Sequence, residues 1–189
     1  MKERKYKEDY GFRSYIDSRG KEKREAVYQG DYFAYEGGAP VRKKALVESL
    51  VFFAICLILY FVYMKLNTPS SSCMYVLPIS ACALIVLVYW AMGLFSMWRA
   101  PEKMTRLQKE NGVGRVLRSS VGCGVLLAMA SLGDILFMLL TLKERYTEEI
   151  LGFAFLACAA MAAMGCFLRV RETYNKIRTI AASKGGEDK

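Results

Sequence analysis

The chain has 189 residues, 54% of them hydrophobic, and a formal net charge of +9. It contains no His, which removes the commonest general base and metal ligand, so we favour a non-enzymatic protein and predict no cofactor or metal. Charged residues are gathered into a few stretches instead of recurring every few positions, which argues against a soluble helical domain.

The first 44 residues are predicted to form a cytoplasmic arm that is polar and rich in aromatic residues. Residues 2–9 are nearly all charged, a composition that predicts disorder. Two short runs rich in Tyr, Val and Phe flank Gly30-Asp31, which is typical of a two-residue β-hairpin turn. An isolated hairpin is marginally stable, so we expect it to lie on a surface. The candidate binding side chains are Tyr28, Tyr32, Phe33 and Tyr35.

The arm places these aromatic side chains among basic residues beside a membrane. Anionic headgroups attract such segments, at about 1 kcal/mol per well-placed basic residue. We therefore predict that the arm binds anionic lipid headgroups or an acidic protein partner, and that the aromatic side chains become buried on binding.

Four long apolar segments follow the arm. A helix needs about 20 predominantly apolar residues to cross a ~30 Å hydrocarbon core, and each segment contains at most one charged residue. The segments are Ala45–Met64, Met74–Trp98, Ser119–Leu142 and Ile150–Leu168. The sequence thus predicts an all-α membrane protein, a four-helix transmembrane bundle of two in–out–in helical hairpins at 45–180, with a flexible tail at 181–189.

The basic residues predict the orientation of this bundle. The first, third and fifth segments outside the membrane hold 24 of the 27 Lys and Arg residues, and the other two hold only Lys65, Lys143 and Arg145. Because Lys and Arg favour the cytoplasmic side, we predict that both termini are cytoplasmic and that the protein lies in the plasma (cytoplasmic) membrane. This placement also accounts for the net charge without nucleic acid as a partner.

Three local predictions concern the ends of these segments. Pro78 is expected to kink the second span. Residues 101–110 begin with Pro and have mixed charge, so they predict a short interfacial helix. The fourth span is predicted to continue as a basic helix over residues 169–180.

Small residues recur every four positions on the last two spans. Such stripes let helix backbones approach closely inside a membrane, where packing must hold helices together. We predict that the third span packs on the fourth through them, with a homodimer face as the alternative. The candidate packing residues are Gly124, Ala128, Ala154 and Ala162.

Asp134 is the one acidic residue deep in a span. At a 1.5 Å rise per residue it lies about 12 Å from the end of its span. Ser80 and Cys158 are predicted at similar depth, and no Lys or Arg shares that layer. The group is interpreted as a structural hydrogen bond between helices, with a proton or cation site as the alternative and a metal layer as a third.

No catalytic motif is present. The leading interpretation is a multi-pass interaction or accessory subunit that acts through its basic cytoplasmic face. The alternatives are a small oligomeric transporter or channel subunit with Asp134 near the pathway, and a membrane enzyme. A water-accessible cavity reaching Asp134 would favour transport, whereas a closed bundle would favour the interaction function.

Overall fold

The structure, a computed structural model, describes residues 9–16, 22–66, 68–141 and 146–180. Two strands open the chain, and the fourth strand closes the described part of it. The elements are β1 (Tyr10–Ile16), β2 (Glu22–Tyr28), β3 (Tyr32–Tyr35), α1 (Gly38–Leu66), a 3₁₀ turn (Pro69–Ser72), α2 (Leu77–Arg99), α3 (Arg106–Asn111), α4 (Val113–Thr141), α5 (Tyr146–Asn175) and β4 (Ile177–Ile180). The predicted disorder at 2–9 falls almost wholly outside the described residues, as does the predicted tail at 181–189.

Four of the helices, α1, α2, α4 and α5, are long and apolar enough to cross a membrane. The prediction of a multi-pass membrane protein with four spanning helices is therefore confirmed. The helices extend beyond the apolar segments. For example, α1 begins at Gly38 and carries Arg42, Lys43 and Lys44 in its second turn, because long basic side chains near a helix end can reach the interface.

The four long helices pack in an open arc in the order α1, α5, α4, α2. The closest packing is between α4 and α5, whereas α1 and α2 touch little. A lateral groove of about 600 Å³ lies between α1 and α2. Its walls are almost entirely apolar: Leu46, Leu50, Phe53, Ala54, Leu57, Ala91, Leu94, Phe95 and Trp98.

The bundle has two dissimilar ends. At the basic end α1 and α4 begin and α2 and α5 end, and this end carries the strands and α3. At the acidic end α1 and α4 end and α2 and α5 begin, and this end carries the 3₁₀ turn. We call the four strands together with α3 the cap.

The predicted kink at Pro78 is wrong. Helix α2 begins at Leu77, so Pro78 lies in its first turn. A proline is tolerated there because the backbone N–H it lacks would have no partner within the helix. Pro78 therefore starts the helix instead of bending it.

The predicted hairpin at Gly30-Asp31 is also wrong. The strand before it, β2, pairs antiparallel with β1, so that Tyr28 lies opposite Tyr10. The strand after it, β3, pairs with β4 from the far end of the chain. Among the described glycines the positive φ angles that tight hairpins favour occur at Gly37 and Gly38, and not at Gly30.

The two predicted helices at the basic end begin or end elsewhere. Helix α5 stops at Asn175, and the residues after it form β4, whose Ile177 lies opposite Tyr35. β-Branched residues at 177, 179 and 180 suit this pairing. Helix α3 begins at Arg106 and not at Pro101, because Thr105 and Gln108 form a reciprocal capping box at its start.

Candidate functional site

The centre of the cap is the pairing of β3 with the connection between α2 and α3. Phe33 and Met104 exchange backbone hydrogen bonds, each with an N···O distance of 2.8 Å. The Met104 side chain is only 1% exposed, and Tyr35 is buried as well. Burial raises the pKa of Tyr35 to about 12, so its hydroxyl stays neutral. These side chains extend the hydrophobic core of the bundle into the cap.

A lysine side chain connects two elements of the cap with the end of α5. The Lys109 Nζ atom lies 4.4 Å from the ring centre of Phe33 and 4.5 Å from that of Tyr174. These residues belong to α3, β3 and α5. Each such contact with a partly desolvated cation is worth about 0.5–2 kcal/mol. Lys109 thus fastens the arm to the C-terminal end of the bundle.

Tyr28 attaches the hairpin of β1 and β2 to the rest of the cap. Its hydroxyl donates to the Asp31 carbonyl oxygen at 2.8 Å and accepts from the Arg106 backbone N–H at 3.2 Å. Its ring makes edge contacts with Tyr10 and Tyr32, with both centroid distances 5.2 Å. The aromatic residues predicted to become buried on a partner are therefore already engaged within the chain, Tyr35 most completely.

One face of the hairpin carries two exposed apolar side chains among polar and charged ones, which are Ser14, Glu22 and Arg24. Phe12 is 79% exposed and Ile16 is 76% exposed. They alternate with Ser14 on one face of β1, and the register places Arg24 directly opposite Ser14. This surface, which we call the hairpin face, was missed in the sequence because its strand was treated as part of a charged arm. The signal that could have found it is the alternation of apolar residues at 10, 12 and 16.

The rest of the basic end is rich in exposed cations. Exposed basic side chains lie on the spanning helices, on α3, on the connections next to α3 and β4, and on β4. They are Lys43, Lys44, Arg99, Lys103, Arg106, Arg118, Arg169, Arg171, Lys176 and Arg178. Several are paired with acids, such as Arg178 with Glu36 and Lys176 with Glu172.

The acidic end holds a buried polar cluster. Asp134 of α4 is fully buried, and Glu149 of α5 is 4% exposed. One Glu149 oxygen accepts from the Ser70 backbone N–H at 3.1 Å, and the Ser70 and Thr68 hydroxyls lie 3.2 Å apart. Tyr63 of α1 is fully buried as well and lies near both Asp134 and Glu149. We call these five residues the polar cluster.

The residues predicted to share a layer with Asp134 are engaged elsewhere. Ser80 is buried, but its hydroxyl donates to the Leu77 carbonyl oxygen at 2.9 Å. Cys158 lies on the exposed surface of α5. The polar side chains that lie near Asp134 include those of Tyr63 and Ser70. The signal that could have indicated these neighbours is the serine-rich turn after α1, in which Thr68 and Ser70 are buried.

The small residues on α4 and α5 have different environments. A side chain at Gly124 would lie 3.5 Å from the Ala160 carbonyl oxygen and 3.6 Å from the Ala163 Cβ atom, so the two backbones approach closely there. Ala162 is buried and Ala128 half-buried, whereas Ala154 is exposed. A helix has 3.6 residues per turn, so a stripe with a spacing of four drifts around its surface.

No protein-family model, curated protein or solved structure matches this chain.

Proposed function

We propose that this multi-pass membrane protein is a non-enzymatic accessory subunit that binds a partner protein through the cap, on the cytoplasmic side. The observation that carries the proposal is the hairpin face, where Phe12 and Ile16 are almost fully exposed. Exposed apolar side chains grouped on one face, with polar residues around them, mark interaction surfaces. Binding of headgroups alone would need only the basic residues.

The architecture of the cap supports a binding role. The hairpin of β1 and β2 is a two-stranded sheet, and such a sheet is marginally stable without a third strand or a packed face. Its outer edges pair with no other strand among the described residues. An extended segment of a partner could add to such an edge, with backbone hydrogen bonds giving affinity and Phe12 and Ile16 giving selectivity.

The distribution of charge supports the cytoplasmic placement. The sequence segments 1–44, 99–118 and 169–189 hold 24 of the 27 basic residues of the chain, and the positive-inside tendency favours the cytoplasm for them. Exposed cations around the hairpin would also steer an acidic partner toward it. Both features agree with an adaptor that is held at the membrane by its four helices.

Transport through Asp134 is the competing function. It requires water to reach this side chain, and the Asp134 carboxyl group is fully buried. The burial favours the interaction function, because a pathway residue has to exchange its ion with solvent in every transport cycle, whereas an ion at a static site can exchange slowly through local opening of the fold.

The test is site-specific photocrosslinking of the full-length protein in cells. A photoreactive residue at position 12 should give a protein adduct of discrete mass. The same residue at Glu102, an exposed position in the connection between α2 and α3, should give none. Ile16→Ser should abolish the adduct, whereas Met74→Ser at the acidic end should leave it unchanged. Adducts with lipid alone, or no adduct at position 12, would contradict the proposal.

A further inference from the structure

Asp134 and Glu149 are the buried charged residues of the described chain, and both are acidic. Both oxygens of Asp134, Oε2 of Glu149 and Oη of Tyr63 are buried and make no hydrogen bond of ordinary geometry in the part of the chain that the structure describes, although the Ser70 and Tyr63 side chains lie near Asp134. A buried charge without a partner is strongly destabilising, and buried charges in proteins are normally paired or bound to a metal. These oxygen atoms have to be neutralised, either by protons or by a bound cation.

The oxygens come together from four separate elements. Tyr63 lies on the last turns of α1, Thr68 and Ser70 at the 3₁₀ turn, Asp134 on α4 and Glu149 on the first turn of α5. The geometry is held by close packing: a side chain at Gly152, on the same face of α5 as Glu149, would lie 3.2 Å from Thr68 Cγ2 and 3.4 Å from Tyr63 Cε2. Glycine at this position lets the turn and α1 approach the acids.

We infer that the polar cluster is a binding site for a hard divalent cation, with Ca²⁺ as the ion its chemistry fits best. The ligands would be the carboxylates of Asp134 and Glu149, with the hydroxyl oxygens of Tyr63, Ser70 and Thr68 completing the shell. Two carboxylates balance a divalent charge, and no Lys or Arg is among the buried residues of the described chain. The site joins α1, the turn, α4 and α5 at the acidic end.

The donor set selects the type of ion. Ca²⁺ accepts 6–8 oxygen ligands in flexible geometry, whereas Mg²⁺ requires a near-ideal octahedron and keeps several waters. Zinc and copper prefer nitrogen and sulfur ligands. Within the described residues no group of three or more His, Cys, Asp or Glu lies together, so the site depends on two carboxylates and on hydroxyl groups, as a calcium site of moderate affinity can.

The first experiment measures the thermal unfolding of the full-length protein in detergent, in EGTA and in 10 mM CaCl₂. Occupation of a site of roughly 10⁻⁴ M affinity should raise Tm by about 5 °C. Asp134→Asn and Glu149→Gln should each abolish the shift. Glu148→Gln, which makes the same change one residue outside the cluster, should retain it. A wild-type protein without a shift, or a shift that survives in both cluster variants, would overturn the inference.

A second measurement works even where an acid variant fails to fold. Tb³⁺ replaces Ca²⁺ at oxygen sites, and excited tyrosine close to the ion sensitises its emission. Tb³⁺ added to the wild-type protein should give sensitised emission that excess Ca²⁺ removes, and Tyr63→Phe should lose most of it. Absent emission, or emission that Ca²⁺ does not displace, would indicate that the acids are neutralised by protons and would overturn the inference.

Discussion

The two ends of the bundle handle charge in opposite ways. The basic end carries most of the charged residues, and they are exposed or paired, as Arg178 is with Glu36 and Lys109 is with two aromatic rings. The acidic end has few charged residues, yet two of them, Asp134 and Glu149, are buried. Exposed pairs are worth at most about 1 kcal/mol, whereas a buried charge is costly to leave unpaired. The number of charges is therefore a poor guide to where electrostatics matters for this fold.

The first prediction concerns the side of the membrane on which each end of the bundle lies. In intact cells an impermeant thiol reagent should label Cys73, a partly exposed residue at the acidic end, and should not label a Cys73→Ser protein carrying Arg118→Cys at the basic end. The result is all or none, because the positive-inside tendency places the basic end in the cytoplasm. Opening the cells should make the second protein reactive. The reverse pattern would place the cap outside and remove its proposed partner.

The largest change in stability is expected from the core of the cap. Met104→Ala removes a side chain that is 1% exposed, and such truncations cost about 2–5 kcal/mol. Hydrogen exchange at the Phe33 amide, which donates to the Met104 carbonyl oxygen, should accelerate. Met74→Ala, at a position 93% exposed at the acidic end, is the control and should change neither. Equal effects of the two variants would mean that the hydrophobic core does not extend into the cap.

Helices α4 and α5 pack most closely in the bundle, and Gly124 lies in the interface between them. Gly124→Leu should destabilise the bundle by about 1–3 kcal/mol, because a branched side chain has no space against Ala160 and Ala163. Thermal unfolding in detergent measures the effect. The matched control is Ala154→Leu on the exposed surface of α5, which should leave the midpoint unchanged. If Ala154→Leu were the more damaging variant, that surface would be an interface between chains.

At the acidic end the sign of one substitution should depend on calcium. In EGTA, Asp134→Asn should raise the free energy of unfolding by about 1 kcal/mol, because a buried acid without a counter-ion is replaced by a neutral group. In excess Ca²⁺ the wild-type protein should become the more stable of the two. Paired unfolding curves in the two buffers check this crossing, and Asp134→Asn that destabilises in both buffers would contradict it.

The smallest expected effect concerns Lys109 at the basic end. Lys109→Ala removes a cation from two aromatic rings and should cost about 0.5–1 kcal/mol. Lys109→Arg keeps a cation over the Phe33 and Tyr174 rings and should restore most of the stability. Chemical unfolding followed by tyrosine fluorescence is sensitive enough to rank the three proteins. If Arg behaved as Ala does, the packing of the lysine stem would be the contribution that matters.

The spanning helices were predictable because the bilayer imposes a length and an apolar composition that each segment states locally. Their ends were not. Helix α1 starts at Gly38, seven residues before Ala45, because helix continues past the hydrocarbon core into the basic interface, where hydropathy gives no signal. The pairing of β3 with β4 was equally out of reach, since it joins residues about 140 positions apart along the chain and depends on which ends of the bundle meet.

The residues of the polar cluster were also only partly predictable from the sequence. Asp134 stood out in the sequence because ionisable groups inside a span are rare. Its neighbours did not, because Tyr63 and Ser70 resemble ordinary interface residues until the order of the helices is known. That order, with α5 between α1 and α4, is set by side-chain fit along whole helices. No local pattern of polarity contains it.

The pairing of β3 with β4 also has a consequence for biosynthesis. Strand β4 is synthesised only after all four spanning helices, and at ~5–20 residues per second it follows β3 by roughly 10–30 s. During that interval β3 has no partner strand, while the helices enter the membrane one after another. The pairing of β3 with β4 can therefore form only after all four spanning helices have been synthesised. A chain that stalls or inserts a helix wrongly leaves β3 unpaired, and this exposed strand is a feature by which a protease can distinguish it from the finished protein.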